Sequence, residues 1–318
     1  MHSKNKSTDA ASLNLSGQKP CNDSFISFKN LEEAHGIIPY GMTNDYMFRA
    51  VLQSNDKVLQ GLICSLLHLS KREITSIEII NPVILGKSVE NKEFRLDINV
   101  LLNNNTVINL EMQVANEMNW PNRSILYLCR SFDNPKHGQD YRDTMSAIHI
   151  GFLDFTRFKE YPEFYATYKL INVKNHHIYS DNFILNVVNL SRIDLATKED
   201  RAYGIDHWAA LFKAKTWEEL KMIAEKDKDI EEAARSLFQF CTDEQVRKLC
   251  RDREEYYQDL RNYEREIERM KKVIAEKEAE MDIALLEKDT AILEKDAAIL
   301  EKDRMIEKLL EENRALKG

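Results

Sequence analysis

The order of apolar patterns predicts a mixed α/β fold, followed by a helical region and a long C-terminal coiled-coil helix. Three observations carry this expectation: two runs with helical spacing, then short runs of strict alternation, then a C-terminal segment that repeats in sevens.

The leader, residues 1–38, is rich in Ser, Asn and Lys with little apolar periodicity and reads as mobile. Asn44 is placed to cap a first helix carrying Met47, Phe48, Val51 and Leu52, and Val58, Leu59, Leu62, Ile63, Leu66 and Leu67 mark a second. Ile74 to Ile80 alternates as a strand ending at Asn81-Pro82, and Arg95–Leu102 and Thr106–Val114 are two more. Trp120-Pro121 starts a helix, with proline at its first position and Ile125, Leu128, Cys129 and Phe132 as its apolar face. Further strands are expected at Met145–Leu153, Ala166–Val173 and Phe183–Leu190. Residues 196–250 read as a helical extension anchored by Trp208, Leu211, Phe212, Leu220, Ile223, Leu237 and Phe238.

In the tail, residues 251–318, Tyr256, Leu260, Tyr263, Ile267, Met270 and Ile274 alternate steps of four and three, the seam of a coiled coil. Near-identical heptads follow from Leu285, Ile292 and Ile299, where Lys and Asp weaken the seam. A continuous helix here is on the order of 100 Å long at 1.5 Å per residue. Its seam predicts a homo-oligomer; the plainer alternative is a solvated single helix held by i,i+4 charge pairs.

Composition sets limits on function. The 318 residues are 43% hydrophobic and 31% charged, with a net charge of −8, of which residues 251–318 carry −5. No segment is a basic domain, so phosphates must meet a local patch or a bound cation. No run approaches a membrane span and the N-terminus lacks the apolar core of a secretory signal, which points to a cytoplasmic protein without a membrane partner. The five cysteines have no metal-knuckle spacing and read as reduced core thiols. With nine glycines there is no phosphate-cradling loop, no nucleophile elbow is present, and adjacent His176 and His177 point apart in a turn. Trp208 and Trp217 read as core residues.

The informative segment is Arg95 to Gln113. Asn103, Asn104 and Asn105 interrupt two alternating runs as a hairpin loop does. Centring the hairpin on Asn104 pairs Leu102 with Thr106, Val100 with Ile108, Ile98 with Leu110 and Leu96 with Met112 on an apolar face. The reverse face then carries Asn99 opposite Asn109, Asp97 opposite Glu111, and Arg95 opposite Gln113. Opposed like charges are destabilising, and a divalent cation between Asp97 and Glu111 would relieve them. Such an ion acidifies a bound water and neutralises charge at a scissile phosphodiester, while the Gln113 amide could orient the water. A solvent-exposed polar sheet face screened by Arg95 is the competing explanation. On the next helix Arg123, Tyr127 and Arg130 share a face suited to phosphate contact, or to ordinary surface arginines. Asp45 is either a further acid of the site or a first-turn residue favoured by the helix dipole.

Taken in order, Tyr40-Gly-Met-Thr-Asn-Asp-Tyr-Met-Phe48, Ile79-Ile-Asn-Pro82, Leu96-Asp-Ile98, Ile108-Asn-Leu-Glu-Met-Gln113 and Arg123-Ser-Ile-Leu-Tyr127 resemble the Rpn family of recombination-promoting nucleases and transposases, within the PD-(D/E)XK superfamily. The likeness continues through Ile148–Phe155 and the Trp208 helix to Cys241-Thr-Asp-Glu-Gln-Val246. It implies a restriction-endonuclease-like mixed sheet flanked by helices over residues 39–195, cutting DNA with Mg²⁺, or with Mn²⁺ in its place. Asp97, Glu111 and the backbone carbonyl of Met112 then resemble the metal ligands. Gln113 stands where the superfamily has a lysine, and the downstream helix faces DNA.

Overall fold

A computed structural model describes residues 28–81, 97–114, 119–133 and 140–315. Arg95, Leu96, Cys21 and most of the expected leader lie outside the described residues. The chain divides into two compact units, Met1–Cys250 and Arg251–Gly318.

Asparagine side chains start both opening helices. In α1 (Asp45–Ser54) Asn44 accepts from the backbone of Tyr46 and Met47, and in α2 (Asp56–Leu67) Asn55 accepts from Lys57 and Val58. The strands are β1 (Ile77–Ile79), β2 (Ile98–Leu102), β3 (Thr106–Gln113), β4 (Ser146–Leu153), β5 (Tyr165–Lys169) and β6 (Phe183–Asn189). They form one sheet in the order β1-β2-β3-β4-β6-β5, with β3–β4 and β4–β6 parallel and the other pairs antiparallel. Helix α3 (Trp120–Phe132) connects β3 to β4, as a parallel pair requires. Helices α4 (Lys198–Ala202), α5 (Ile205–Lys213), α6 (Trp217–Ala224) and α7 (Lys228–Thr242) complete the first unit, together with the opening turns of α8 (Glu244–Ala315).

The hairpin register is the one that the asparagine loop predicts. Ile98 pairs with Leu110, Asn99 with Asn109, Val100 with Ile108 and Leu102 with Thr106. Asn103 and Asn104 take positive φ, 51° and 57°, which asparagine tolerates better than other side chains. Asn103 also accepts from the Thr75 and Ser76 amides and donates to the Glu73 carbonyl, fixing the loop beside the entry to β1. Those contacts shorten β1: Thr75 and Ser76 bond to a side chain, and Lys71–Glu73 is a tight turn closed by a Ser70–Glu73 capping box.

One sheet face carries the main core. Ile98, Val100, Ile108, Leu110, Ile150 and Phe152 are buried there, and Phe48, Phe152 and Phe212 meet with ring centroids 5.2–5.6 Å apart. Trp208 and Trp217 are core residues on the helical extension. The opposite face holds a smaller apolar cluster of Trp120, Leu153 and Val187 beneath α3.

The packing of α3 corrects the expected apolar face. Its buried positions are Trp120, Ser124 and Leu128, whereas Ile125 is 49% exposed and Cys129 is exposed. Trp120 sets this rotation, because its indole lies over Gly151, where any Cβ would stand 2.0 Å from a ring carbon. Cys129 is therefore a surface thiol, while Cys64, Cys241 and Cys250 are buried as expected.

Candidate active site

Between the smaller apolar cluster and the hairpin, α3 covers a row of polar side chains. Period-2 alternation brings Asn109, Glu111 and Gln113 of β3 to this face, and the parallel register sets His149 of β4 beside Asn109. Asp97 directly precedes β2 and reaches the same row. The group is buried: Asp97 is 8% exposed, Asn109 1%, Glu111 4%, Gln113 6% and His149 0%. A solvated polar sheet face is thus excluded, because the helix and its aromatic residues lie over it.

Each polar group is oriented by its neighbours. Asn109 Nδ2 donates to Asp97 Oδ2 at 2.8 Å and to Asn99 Oδ1 at 2.6 Å. With its amide nitrogen committed to acceptors, Asn109 turns Oδ1 toward His149 Nδ1, 2.6 Å away. A carbonyl oxygen only accepts, so Nδ1 carries the imidazole proton and Nε2 is left with a lone pair. Burial first, and then the Arg123 guanidinium, push the His149 imidazole down to about 3, so the ring is neutral. Tyr127 stacks on it with 5.9 Å between centroids and 17° between planes, and Trp120 lies against it at 5.5 Å.

Glu111 is held from the helix side. Arg123 places Nε 2.6 Å and a terminal nitrogen 2.5 Å from Oε1, while Oε2 lies 3.9 Å from His149 Nε2. Arg123 and Arg130 flank the Tyr127 ring at 5.5 and 5.7 Å. The three helix residues therefore share a face as the spacing predicts, and Arg123 and Tyr127 use it to reach the polar row. Arg123 also supplies the positive charge that the sequence places only at Arg95, which lies outside the described residues.

A second arginine fixes Asp97 from the other sheet face. Arg49 of α1 is completely buried and donates to the backbone carbonyls of Asp97 and Asn81. Asn81 itself donates to the Asp97 carbonyl at 3.0 Å and accepts from the Asn99 amide at 2.8 Å. Burial pushes the Arg49 guanidinium down to about 10, opposed by the Asp97 charge, so it remains a cation at neutral pH. Asp45 stands one turn before Arg49, buried in the first turn of α1.

The donors suit a hard divalent cation. One Asp97 oxygen, Oδ1, is buried without a hydrogen-bond partner among the described residues, an expensive state for a carboxylate unless a positive ligand completes it. No three His, Cys, Asp or Glu groups among the described residues are placed to hold a metal ion together. A divalent cation here would therefore rest on the two carboxylates, with water filling remaining positions.

The model of the PD-(D/E)XK nuclease family transposases matches residues 42–267, most of the chain and all of this row. The chain belongs to that family. Its fold is a PD-(D/E)XK-like mixed sheet flanked by helices, and its membership makes it nuclease-like, with a divalent metal typical of such nucleases. No curated protein and no solved structure matches the chain. Among the described residues no helix is long and apolar enough to cross a membrane.

Two residues, one in the row and one bracing Asp97 from behind the sheet, were not legible as functional in the sequence. His149 sits in the apolar run Ser146–Leu153, and the one signal available was that it and Gly151 interrupt otherwise continuous hydrophobicity at alternate positions. Arg49 lies inside a helix of ordinary amphipathic pattern, and nothing local marks it as buried.

Proposed function

We propose that the protein is a Mg²⁺-dependent DNA endonuclease, also served by Mn²⁺, acting in DNA recombination or mobile-element biology in the cytoplasm. The observation that carries this reading is the buried pair of acids, Asp97 and Glu111, each with one oxygen engaged by a protein donor on a family-matched nuclease fold. Asp97, Glu111 and the Met112 carbonyl would hold the ion. When bound, the ion supplies an acidified water and neutralises charge growing on the phosphate. Gln113 would orient the water through its amide; as the water oxygen bonds to phosphorus the bond to the leaving sugar oxygen breaks, the water's proton passes to solvent, and the leaving oxygen takes a proton from solvent. Arg123 neutralises Glu111 and is the most open charged group of the row, with 37% of its side chain exposed, so it meets an incoming phosphate first. Arg130 and Tyr127 extend that approach along α3, and Asp45 remains a further acid.

Plasmid nicking titrated against Mg²⁺ tests the reading. Wild type should cut, and Asp97→Ala and Glu111→Ala should not; equal cutting by all three removes the assigned site. A second reading, a catalytically inactive DNA-binding or scaffold protein assembled by its coiled coil, is favoured by the neutral Gln113 in the superfamily's lysine position. Calorimetry showing DNA binding but no Mg²⁺ or Mn²⁺ binding would select it.

The tail joins copies of the chain in this proposal. The seam from Tyr256 to Ile274 is exposed along α8, with Tyr263, Ile267, Met270 and Ile274 each about half or more open to solvent. Such a stripe is what an identical helix buries in a coiled coil.

A further inference from the structure

The Trp120 indole, lying over Gly151, divides one face of the sheet in two. On one side stands His149 with the polar row, 5.5 Å away between ring centroids. On the other, α3, β5 and β6 enclose an apolar cavity of about 280 Å³, of which Trp120 is a wall. We propose that this cavity receives an unstacked base of DNA whose phosphates lie along the arginines of α3. The inference rests on the DNA-cutting reading above and deepens it, assigning DNA with an unpaired base as the preferred substrate.

The walls suit a flat ring. Phe183 and Leu185 of β6 line the cavity, Tyr168 of β5 pairs with Leu185, and Phe158 stands against Tyr168 with 6.3 Å between centroids. Phe158 and Tyr168 are 41% and 42% exposed, so an incoming ring can reach their faces. Of the polar side chains on the wall, Ser124 donates to the Pro121 carbonyl at 3.1 Å and Lys169 pairs with Asp181 at 2.6 Å. Both are committed elsewhere, which leaves stacking as the means of recognition and makes the cavity tolerant of any base. An apolar cavity of about 150 Å³ takes a benzene ring, so this one has room for a two-ring base. A helix from another protein, about 10 Å across, is too wide for it.

Position selects a nucleobase among flat ligands. The register sets Glu111 beside Gly151 and Gly151 beside Val187, a residue of the cavity wall. Acid and wall are thus two strand spacings apart, about 10 Å, a span of about three stacked nucleotides. Arg123 and Arg130 flank Tyr127 on the row side of α3, and Arg157 lies over the Phe158 ring, 5.7 Å from its centroid, on the far side of the cavity. Positive charge therefore stands on both sides of an apolar hole, the order in which a strand presents phosphate, base and phosphate. In an intact duplex the faces of each base are covered by its neighbours, so an unpaired base enters at least cost.

The test uses the full chain with a chelator, so that nothing is cut, and three labelled DNAs of one sequence: an intact duplex, the same duplex with one bulged nucleotide, and that bulge made abasic. Fluorescence anisotropy reads the affinities. The bulged base should bind about 5- to 150-fold more tightly than the abasic bulge, the range that one base–aromatic stack supplies, and more tightly than the intact duplex. Tyr168→Ala and Phe158→Ala should each shrink that preference toward one. With iodouracil as the bulged base, irradiation should crosslink it to Trp120, Phe158, Tyr168 or Phe183. Equal binding of the bulged and abasic DNAs, an undiminished preference in both variants, or a crosslink outside the cavity overturns the base pocket and leaves the DNA reading in place. Variants that keep the preference but lose mass in light scattering assign the cavity instead to an interface between copies of the chain. Wild type that binds none of the three DNAs overturns the DNA reading, and the pocket assignment falls with it. If neither variant folds, the wild-type crosslink decides: one within the cavity upholds the assignment, and one elsewhere or none rejects it.

Discussion

Arg123 brings two nitrogens, at 2.6 and 2.5 Å, to one oxygen of Glu111, tying the helix that covers the site to the acid at its centre. Because the arginine is partly exposed and the glutamate is buried, their separation leaves an uncompensated charge mainly on the Glu111 side. Arg123→Ala should therefore lower stability by about 1–2 kcal/mol in urea unfolding. It should also weaken DNA binding at every sequence tested and reduce the slope of log affinity against log salt by about one. A variant with wild-type salt slope would show that Arg123 does not contact phosphate.

Metal removal should act on the fold as well as on cutting. An ion that binds only the native state adds about 2.7 kcal/mol at a hundred times its dissociation constant. Saturating Mg²⁺ should raise the melting temperature of wild type, chelation should reverse the rise, and neither should move Asp97→Ala. Equal metal-induced shifts in both proteins would place the stabilising ion elsewhere.

Arg49 is expected to be among the least replaceable residues outside the polar row. Arg49→Met keeps the apolar bulk but withdraws charged donors from the Asp97 and Asn81 carbonyls. A loss of about 3–5 kcal/mol is expected by chemical denaturation. Arg49→Lys should recover only part of it, since an ammonium lacks the fork that serves two carbonyls.

Gly151→Ala forces a methyl into the Trp120 indole and should cost about 1–3 kcal/mol or more, read by unfolding, with a changed tryptophan emission spectrum. Shrinking the indole in a Trp120→Leu background should make the glycine substitution much cheaper. Additive losses in the double variant would mean that the two positions do not share that contact.

Thiol chemistry should distinguish the surface of α3 from the core. In a Cys21→Ser background, maleimide should modify Cys129 in the native protein and reach Cys64, Cys241 and Cys250 only on unfolding. Burial raises the Cys241 thiol to about 12 from an ordinary value near 9, so the folded state keeps a proton that the unfolded state releases. Its contribution to stability is intact below pH 9 and declines as pH rises toward about 12. Denaturation midpoints across that interval should fall less in Cys241→Ala.

The hairpin was readable because two alternating runs meet at a loop, leaving one register that sorts polar from apolar side chains. Asn103 and Asn104 adopt the left-handed backbone that such a loop needs, and Asp97 and Glu111 follow by counting. Which way α3 turns was not readable: Ile125 is as apolar as Leu128, and the choice is made by Trp120 finding the space over Gly151. His149 and Arg49 escaped for a related reason, since their partners are 40 and 48 residues away and periodicity reports only near neighbours.

The bond between His149 and Asn109 also has a consequence in time. It spans 40 residues and needs β4 aligned parallel to β3, a pairing that forms only after the intervening loop has closed. A chain emerging from the ribosome can carry both acids in a finished hairpin while the imidazole is still unsynthesised. The buried polar row is thus incomplete until β4 has been translated and docked, so the two acids wait for the partner that β4 brings to Asn109.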